Sequence, residues 1–222
     1  MTRLFIAILI SVCCFSAAHA QIVDVEQSEK FNTDSVLRDF DNRPFFGIYK
    51  DNYFVGGTSI GTKPTSHNSD VKFQVSISQR LTKSVLPFNT YAFLFYSQKC
   101  MWNVFEKSLP MRDFNFNPGL GFTKLLISKN RLVGKLTLMI EHESNGRDKM
   151  YDRSWNKLSF AGNIYLTPNL MIHGKYWLTY IDSKQNKDIL RYNGIYQTGI
   201  QVLSPNQRWV FSATFVDRKS VV

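Results

Sequence analysis

Period-two alternation recurs along this chain, in stretches joined by connections of two kinds. Nine candidate strands can be marked, at 45–58, 70–81, 89–98, 115–127, 133–144, 154–166, 170–181, 192–203 and 208–216. The plainest case sets Val71, Phe73, Val75 and Ile77 against Lys72, Gln74, Ser76 and Ser78, the pattern of a strand with two unlike faces. Connections 59–69, 99–114, 145–153 and 182–191 are long and mostly polar. Those at 82–88, 128–132, 167–169 and 204–207 are shorter and rich in turn formers. Long and short alternate down the chain. Such a chain folds as an antiparallel meander with its short turns at one end and its long loops at the other.

The N-terminus bears on where that meander works. Met1-Thr2-Arg3 precedes an apolar run at 4–15 and the small-x-small sequence Ala18-His19-Ala20. This is the layout of a secretory signal peptide, so residues 1–20 are read as a signal removed before Gln21. Cys13 and Cys14 leave with it, and the one remaining thiol, Cys100, cannot build a disulfide framework or a cysteine metal site. Cys100 reads as a small buried or lipid-facing residue. Residues 21–44 are polar and mixed, and read as a periplasmic extension ahead of a strand-bearing domain at 45–222.

No later apolar run approaches the roughly 20 residues a spanning helix needs, yet the chain carries 18 Phe, 10 Tyr and 4 Trp. The fold class expected is therefore all-β, a transmembrane antiparallel β-barrel of the bacterial outer membrane. A net charge of +10 suits anionic lipid headgroups, and export argues against a nucleic-acid partner. Bacterial barrels close on an even number of strands. With about nine strands and no amphipathic strand at 217–222, the terminal strands of a longer barrel are expected to be missing from this sequence.

Chemistry concentrates at 136–164. Leu136, Leu138, Ile140, His142 and Ser144 share one face of a strand, with Lys135, Thr137, Met139, Glu141 and Glu143 on the other. A hairpin symmetric about Lys149 puts His142 opposite Asn156 and Ser144 opposite Ser154. A nucleophile, a base and an orienting group would then meet on an apolar face. Ser144 and His142 would stand about 6–7 Å apart at Cβ, and Asn156 would fix the imidazole tautomer without adding charge. His-x-Ser alone is a weak signal, and a strand end with ordinary polar residues at headgroup level is the plain alternative. By the same parity Glu143 and Trp155 point inward with no catalytic part, His173 lies on an interior row, and Asn145-Gly146 shape the turn.

The sequence His142-x-Ser144-Asn145-Gly146-Arg147, followed by Arg153-Ser154-Trp155-Asn156, resembles the signature of outer membrane phospholipase A. The resemblance extends through Val71-Lys72-Phe73-Gln74, Tyr96-Ser97-Gln98-Lys99, Trp102, 108–112, Asn115, Leu120-Gly121-Phe122 and, more loosely, 192–196. It implies a twelve-stranded barrel with its active site on the lipid-facing surface. Ser144 then corresponds to the nucleophile, His142 to the general base and Asn156 to the orienting group. It further implies a Ca2+ cofactor held by the Arg147 carbonyl, the Asp152 side chain and, from a second subunit, Ser108. The family usually has Ser where this chain has Asp152, and a carboxylate is the stronger Ca2+ ligand. A further family calcium position falls on Gln185, with Asp182 or Asp188 as substitutes. Gln98 matches a polar residue at the family's dimer interface, the homodimer being the active state. The activity implied is hydrolysis of acyl esters in phospholipids and lysophospholipids. A lipid A deacylase-type barrel and a catalytically silent barrel or pore are the rival readings.

Overall fold

A computed structural model describes residues 33–147, 151–180, 186, 189, 193–206 and 208–217. The signal segment 1–20, Lys149, Asp182, Gln185 and Asp188 lie outside the described residues. Ten strands form one antiparallel sheet: β1 Phe46–Gly47, β2 Tyr53–Thr58, β3 Ser69–Arg80, β4 Thr90–Trp102, β5 Met111–Ser128, β6 Arg131–Ser144, β7 Ser154–Thr167, β8 Leu170–Tyr180, β9 Tyr196–Leu203 and β10 Val210–Val216. From β3 to β10 each strand pairs with the next, while β1 and β2 both pair with β3. Among the described residues the two ends of this order do not pair, so the sheet is an open, curled meander.

Turn chemistry agrees with the meander. Ser128 pairs with Arg131 across Lys129 and Asn130, both at positive φ, the backbone of a two-residue type I′ hairpin whose twist matches its strands. Two connections depart from expectation. Strands β4 and β5 run on to Trp102 and from Met111, so the 103–110 connection is shorter than 81–89 and the alternation of lengths is not strict. The first expected strand, 45–58, is broken between Gly47 and Tyr53. There the chain turns across the concave face, where Tyr49 and Lys50 meet inward side chains of β5, β6 and β8.

The two faces of the sheet differ sharply. Leu94, Leu120, Ile140, Leu158 and Leu178 fall in one cross-strand row on the convex side, each between 45% and 65% exposed. Phe122, Leu138, Phe160 and Tyr176 form the next row, also exposed. So continuous an apolar band is a surface made for lipid rather than water. The concave side is polar and buried. Gly119 and Gly121 thin the sheet there: an added Cβ at 119 would lie 3.2 Å from Glu141 Cγ, and one at 121 would lie 2.6 Å from Met139 Cβ. Their absence of side chain lets both residues point inward.

Residues 33–42 form a helix, α1 Thr33–Asn42, within the stretch read from sequence as a periplasmic extension. Asp34 in its first turn favours the positive end of the helix dipole. Leu37 packs on Tyr91 and Leu125, and the Phe40 ring meets Tyr91 edge-on at 4.8 Å. Arg80 closes the other end, donating to the carbonyls of Phe40 and Asp41 in the last turn, where helix geometry leaves carbonyls short of partners, and to that of Arg43 just beyond it.

Candidate active site

Strands β6 and β7 pair His142 with Asn156 and Ser144 with Ser154, the register expected of the symmetric hairpin. His142 Nδ1 stands 2.9 Å from Asn156 Oδ1. Since the carboxamide oxygen can only accept, the imidazole proton sits on Nδ1 and leaves Nε2 as an acceptor. Ser144 is two residues on, on the same outward face and at the end of β6. No hydrogen bond joins its hydroxyl to His142 among the described residues. Resting sites often hold these groups slightly apart until substrate arrives.

Cross-strand rows place the other convex residues. Val75, Gln98, Phe116, Ser144 and Ser154 are successive partners from β3 to β7. Gln98 therefore lies in the row of Ser144, two strands away, or about 10 Å at ordinary strand spacing. Its carboxamide accepts from Tyr96 Oη at 2.9 Å and reaches Cys100 Sγ at 3.5 Å. The row containing His142 and Asn156 continues to Tyr180. Directly beyond it lies the row of exposed leucines and Ile140, so the polar pair borders the apolar band.

Behind this face, the intervening residues build a rigid polar interior. Glu141, 1% exposed, binds Lys175 Nζ and Ser159 Oγ, each at 2.5 Å. Glu143 binds Lys157 and accepts from Asn115 Nδ2 at 2.8 Å. Trp155 is buried on the same side, and its neighbour Asn156 is exposed. Glu141 and Glu143, on either side of His142, are thus anchored inward, which fixes the backbone that presents His142 and Ser144 outward.

Asn145 links the described residues at the two ends of the 145–153 connection. Buried Asn145 continues the ladder by donating its N–H to Arg153 O at 3.0 Å. Its Oδ1 accepts from the N–H groups of Arg153 at 3.0 Å and Arg147 at 3.3 Å, and its Nδ2 donates to Tyr151 O at 2.7 Å. Gly146 follows at φ +65, with the Phe116 ring where a Cβ would come within 3.1 Å. Two arginines tie the loop to the start of β5: Arg147 donates to Arg112 O, and Arg153 pairs with Asp113, both at 2.7 Å.

With this geometry in place, relatives can be compared. The sequence profile of the phospholipase A1 family matches residues 35–217. The chain belongs to the phospholipase A1 family. It is 26% identical to the Klebsiella pneumoniae phospholipase A1 over 213 residues, covering 88% of this chain and 74% of that one. It is 30% identical to the Escherichia coli K12 phospholipase A1 over 139 residues, covering 61% and 48%. The chain thus spans from about half to three quarters of these relatives' lengths. Outer membrane phospholipase A from Escherichia coli superposes with a TM-score of 0.66 at 25% identity, covering 76% of this chain and 75% of that one. The Salmonella typhi outer membrane phospholipase, solved as a dimer with bound calcium, gives a TM-score of 0.67 at 24% identity over 85% and 77%.

The calcium bound in the Salmonella typhi relative directs attention to the oxygens at this end of the sheet. Asp152 is half-buried, and its carboxylate has no partner among the described residues. The Arg147 carbonyl likewise accepts no hydrogen bond among them. Ser108 lies exposed on the 103–110 loop at φ +72, a left-handed backbone held by neighbouring bonds from Leu109 N to Glu106 O and Trp102 Nε1 to Leu109 O. Among the described residues no cluster of three or more His, Cys, Asp or Glu exists. A set of carbonyl, carboxylate and hydroxyl oxygens is, however, what Ca2+ takes, so these residues fit the ion.

Sequence reasoning missed the contacts behind this face, where Asn117 Nδ2 donates to His142 O and Lys50 Nζ donates to Asn117 Oδ1, each at 3.0 Å. Asn117 and Lys50 carry no motif, and the segment containing Lys50 was read as plain strand. The available signal was Pro118 in the middle of an otherwise regular strand, since a central strand rarely tolerates a missing N–H.

Proposed function

We propose that this chain is a calcium-dependent outer-membrane phospholipase, hydrolysing acyl ester bonds of glycerophospholipids and lysophospholipids as a homodimer. The observation that carries the reading is the 2.9 Å bond between His142 and Asn156, on an outward face bordered by exposed leucines. His142 Nε2 takes the proton of Ser144 Oγ as that oxygen bonds to the ester carbonyl carbon. The imidazolium is stabilised by Asn156 and passes the proton to the leaving glycerol oxygen as the C–O bond breaks. Water then attacks the acyl-Ser144 ester with His142 again as base, which frees the fatty acid and restores the serine. Substrate arrives along the apolar band, so the lipid tail stays against a hydrocarbon-like surface throughout.

Arg147, through its carbonyl, Asp152 and a partner protomer's copy of Ser108 would hold Ca2+, which when bound supplies positive charge beside the ester carbonyl. Gln98 shares the row of Ser144 and would meet the partner protomer on this face. Residues 1–20 serve as the export signal. The test is fatty-acid release from phospholipid in detergent micelles by the refolded chain, with Ca2+, with chelator and with Ser144→Ala. Release that needs Ca2+ and disappears in Ser144→Ala supports the reading. Release that persists in Ser144→Ala overturns it.

A further inference from the structure

The backbone carbonyl of His142 has an unusual donor. Partners on β5 and β6 run in a constant register, Phe116 with Ser144 and Gly119 with Glu141, so Pro118 stands opposite His142. Peptide groups point alternately to the two sides of a strand. Asn145 exchanges its N–H with β7, through Arg153, so His142, an odd number of residues away, directs its N–H and C=O toward β5. Pro118 has no N–H to give in return. The ladder should lack a bond at the one residue that orients the candidate base, and an unmet buried carbonyl is costly.

Asn117 fills the gap. Its Nδ2 donates to His142 O at 3.0 Å, while its Oδ1 accepts from Lys50 Nζ at 3.0 Å. The carbonyl itself settles which end of the carboxamide faces it, because a backbone carbonyl can only accept and so needs the amide nitrogen. Asn117 is itself buried. Lys50 is steadied in turn by its own N–H, which donates to Ser76 Oγ at 3.1 Å. A chain of contacts therefore runs from the segment crossing the concave face, through the sheet, to the imidazole on the convex one.

From this we infer that Asn117 is a positioning residue for the hydrolysis: its side chain replaces the ladder bond lost at Pro118 and sets the backbone of His142. The inference rests on the reading of His142 as the base. A side-chain donor differs from a main-chain one in consequence. A main-chain bond would tie His142 only to its neighbouring strand, whereas Asn117 ties it to Lys50 and so to the folded-in segment between β1 and β2.

The experiment measures kcat and KM for phospholipid hydrolysis in micelles with Ca2+, using the full chain and its variants. Asn117→Ala should lower kcat about tenfold, the rate equivalent of one lost hydrogen bond, with KM within about twofold. Pro118→Ala alone should stay within about twofold of the parent, since the carbonyl then has two donors. In Asn117→Ala/Pro118→Ala the restored N–H should return kcat to within about threefold of the parent. A double variant as slow as Asn117→Ala, or Asn117→Ala at the parent rate, overturns the inference. Should Asn117→Ala fail to fold, Asn117→Asp keeps an oxygen for Lys50 and removes the donor; a parent-like kcat in that variant overturns the inference as well. His142→Ala separates the two readings. If it is inactive while the double variant is not rescued, only the role of Asn117 falls; if it is fully active, the triad reading falls and takes the positioning role with it.

Discussion

His142 and Asn156 face each other directly across the β6–β7 pair, with Nδ1 and Oδ1 2.9 Å apart. The bond fixes the tautomer and the ring orientation but carries no charge. Asn156→Ala should therefore lower kcat by roughly tenfold to thirtyfold, corresponding to about 1.4–2 kcal/mol of lost orientation and imidazolium stabilisation. Ser144→Ala should leave no measurable turnover. Steady-state kinetics on the two variants checks the ranking, and equal losses would mean that Asn156 does more than orient.

Asp152 offers a half-buried carboxylate with no partner among the described residues, in the same loop as the Arg147 carbonyl. Asp152→Ala should raise the Ca2+ concentration for half-maximal activity by at least about tenfold, the cost of removing a charged oxygen ligand. A calcium titration of activity, paired with calorimetry on Ser144→Ala protein, checks this. An unchanged midpoint in both assays would exclude Asp152 as a ligand.

The Asn145 carboxamide makes three hydrogen bonds within one short loop, accepting from the N–H groups of Arg147 and Arg153 and donating to Tyr151 O. Each is worth about 1 kcal/mol, and leaving the part-buried N–H groups of Arg147 and Arg153 without this partner adds to the loss. Asn145→Ala should loosen the 145–153 loop without unfolding the sheet. Limited proteolysis should then cut within 145–153 faster than in the parent, while the strand signature in circular dichroism is retained. Proteolysis at the parent rate would show that the arginine ties to Arg112 and Asp113 hold the loop on their own.

The faces of β6 and β7 were legible in the sequence because one of them is apolar. A one-residue slip would have moved Leu138, Ile140, Leu158 and Phe160 to the concave side, so the alternation put His142 and Asn156 on one face, and the symmetric hairpin set them opposite each other. Where no such row exists, the sequence was silent. Residues 48–52 alternate well enough to pass for strand, yet Tyr49 and Lys50 turn inward because the concave face offers Asn117, Met139 and Lys175 as partners. Helix α1 was hidden for a related reason. Its apolar face is little more than Leu37 and Phe40, and what stabilises it is tertiary: Arg80 from β3 and Tyr91 from β4. The role of Asn117 follows from a bond that is absent, which no pattern of side chains announces.

Glu141 and Lys175 test whether the concave interior supports the convex site. Glu141 is almost fully buried and bridges Lys175 and Ser159, and Lys175 also donates to Tyr49 Oη at 3.2 Å. Removing one partner of a buried pair leaves an uncompensated charge, which typically costs about 3–5 kcal/mol. Glu141→Gln should accordingly lower the urea midpoint of unfolding and reduce kcat, since Glu141 precedes His142 on the same strand. Replacing both groups with apolar residues of similar volume often costs little. Glu141→Leu/Lys175→Met should therefore recover most of the stability lost in the single variant. If stability returns and kcat does not, the ion pair contributes to the geometry of His142 beyond holding the sheet together; if both return, its contribution is packing and charge balance alone.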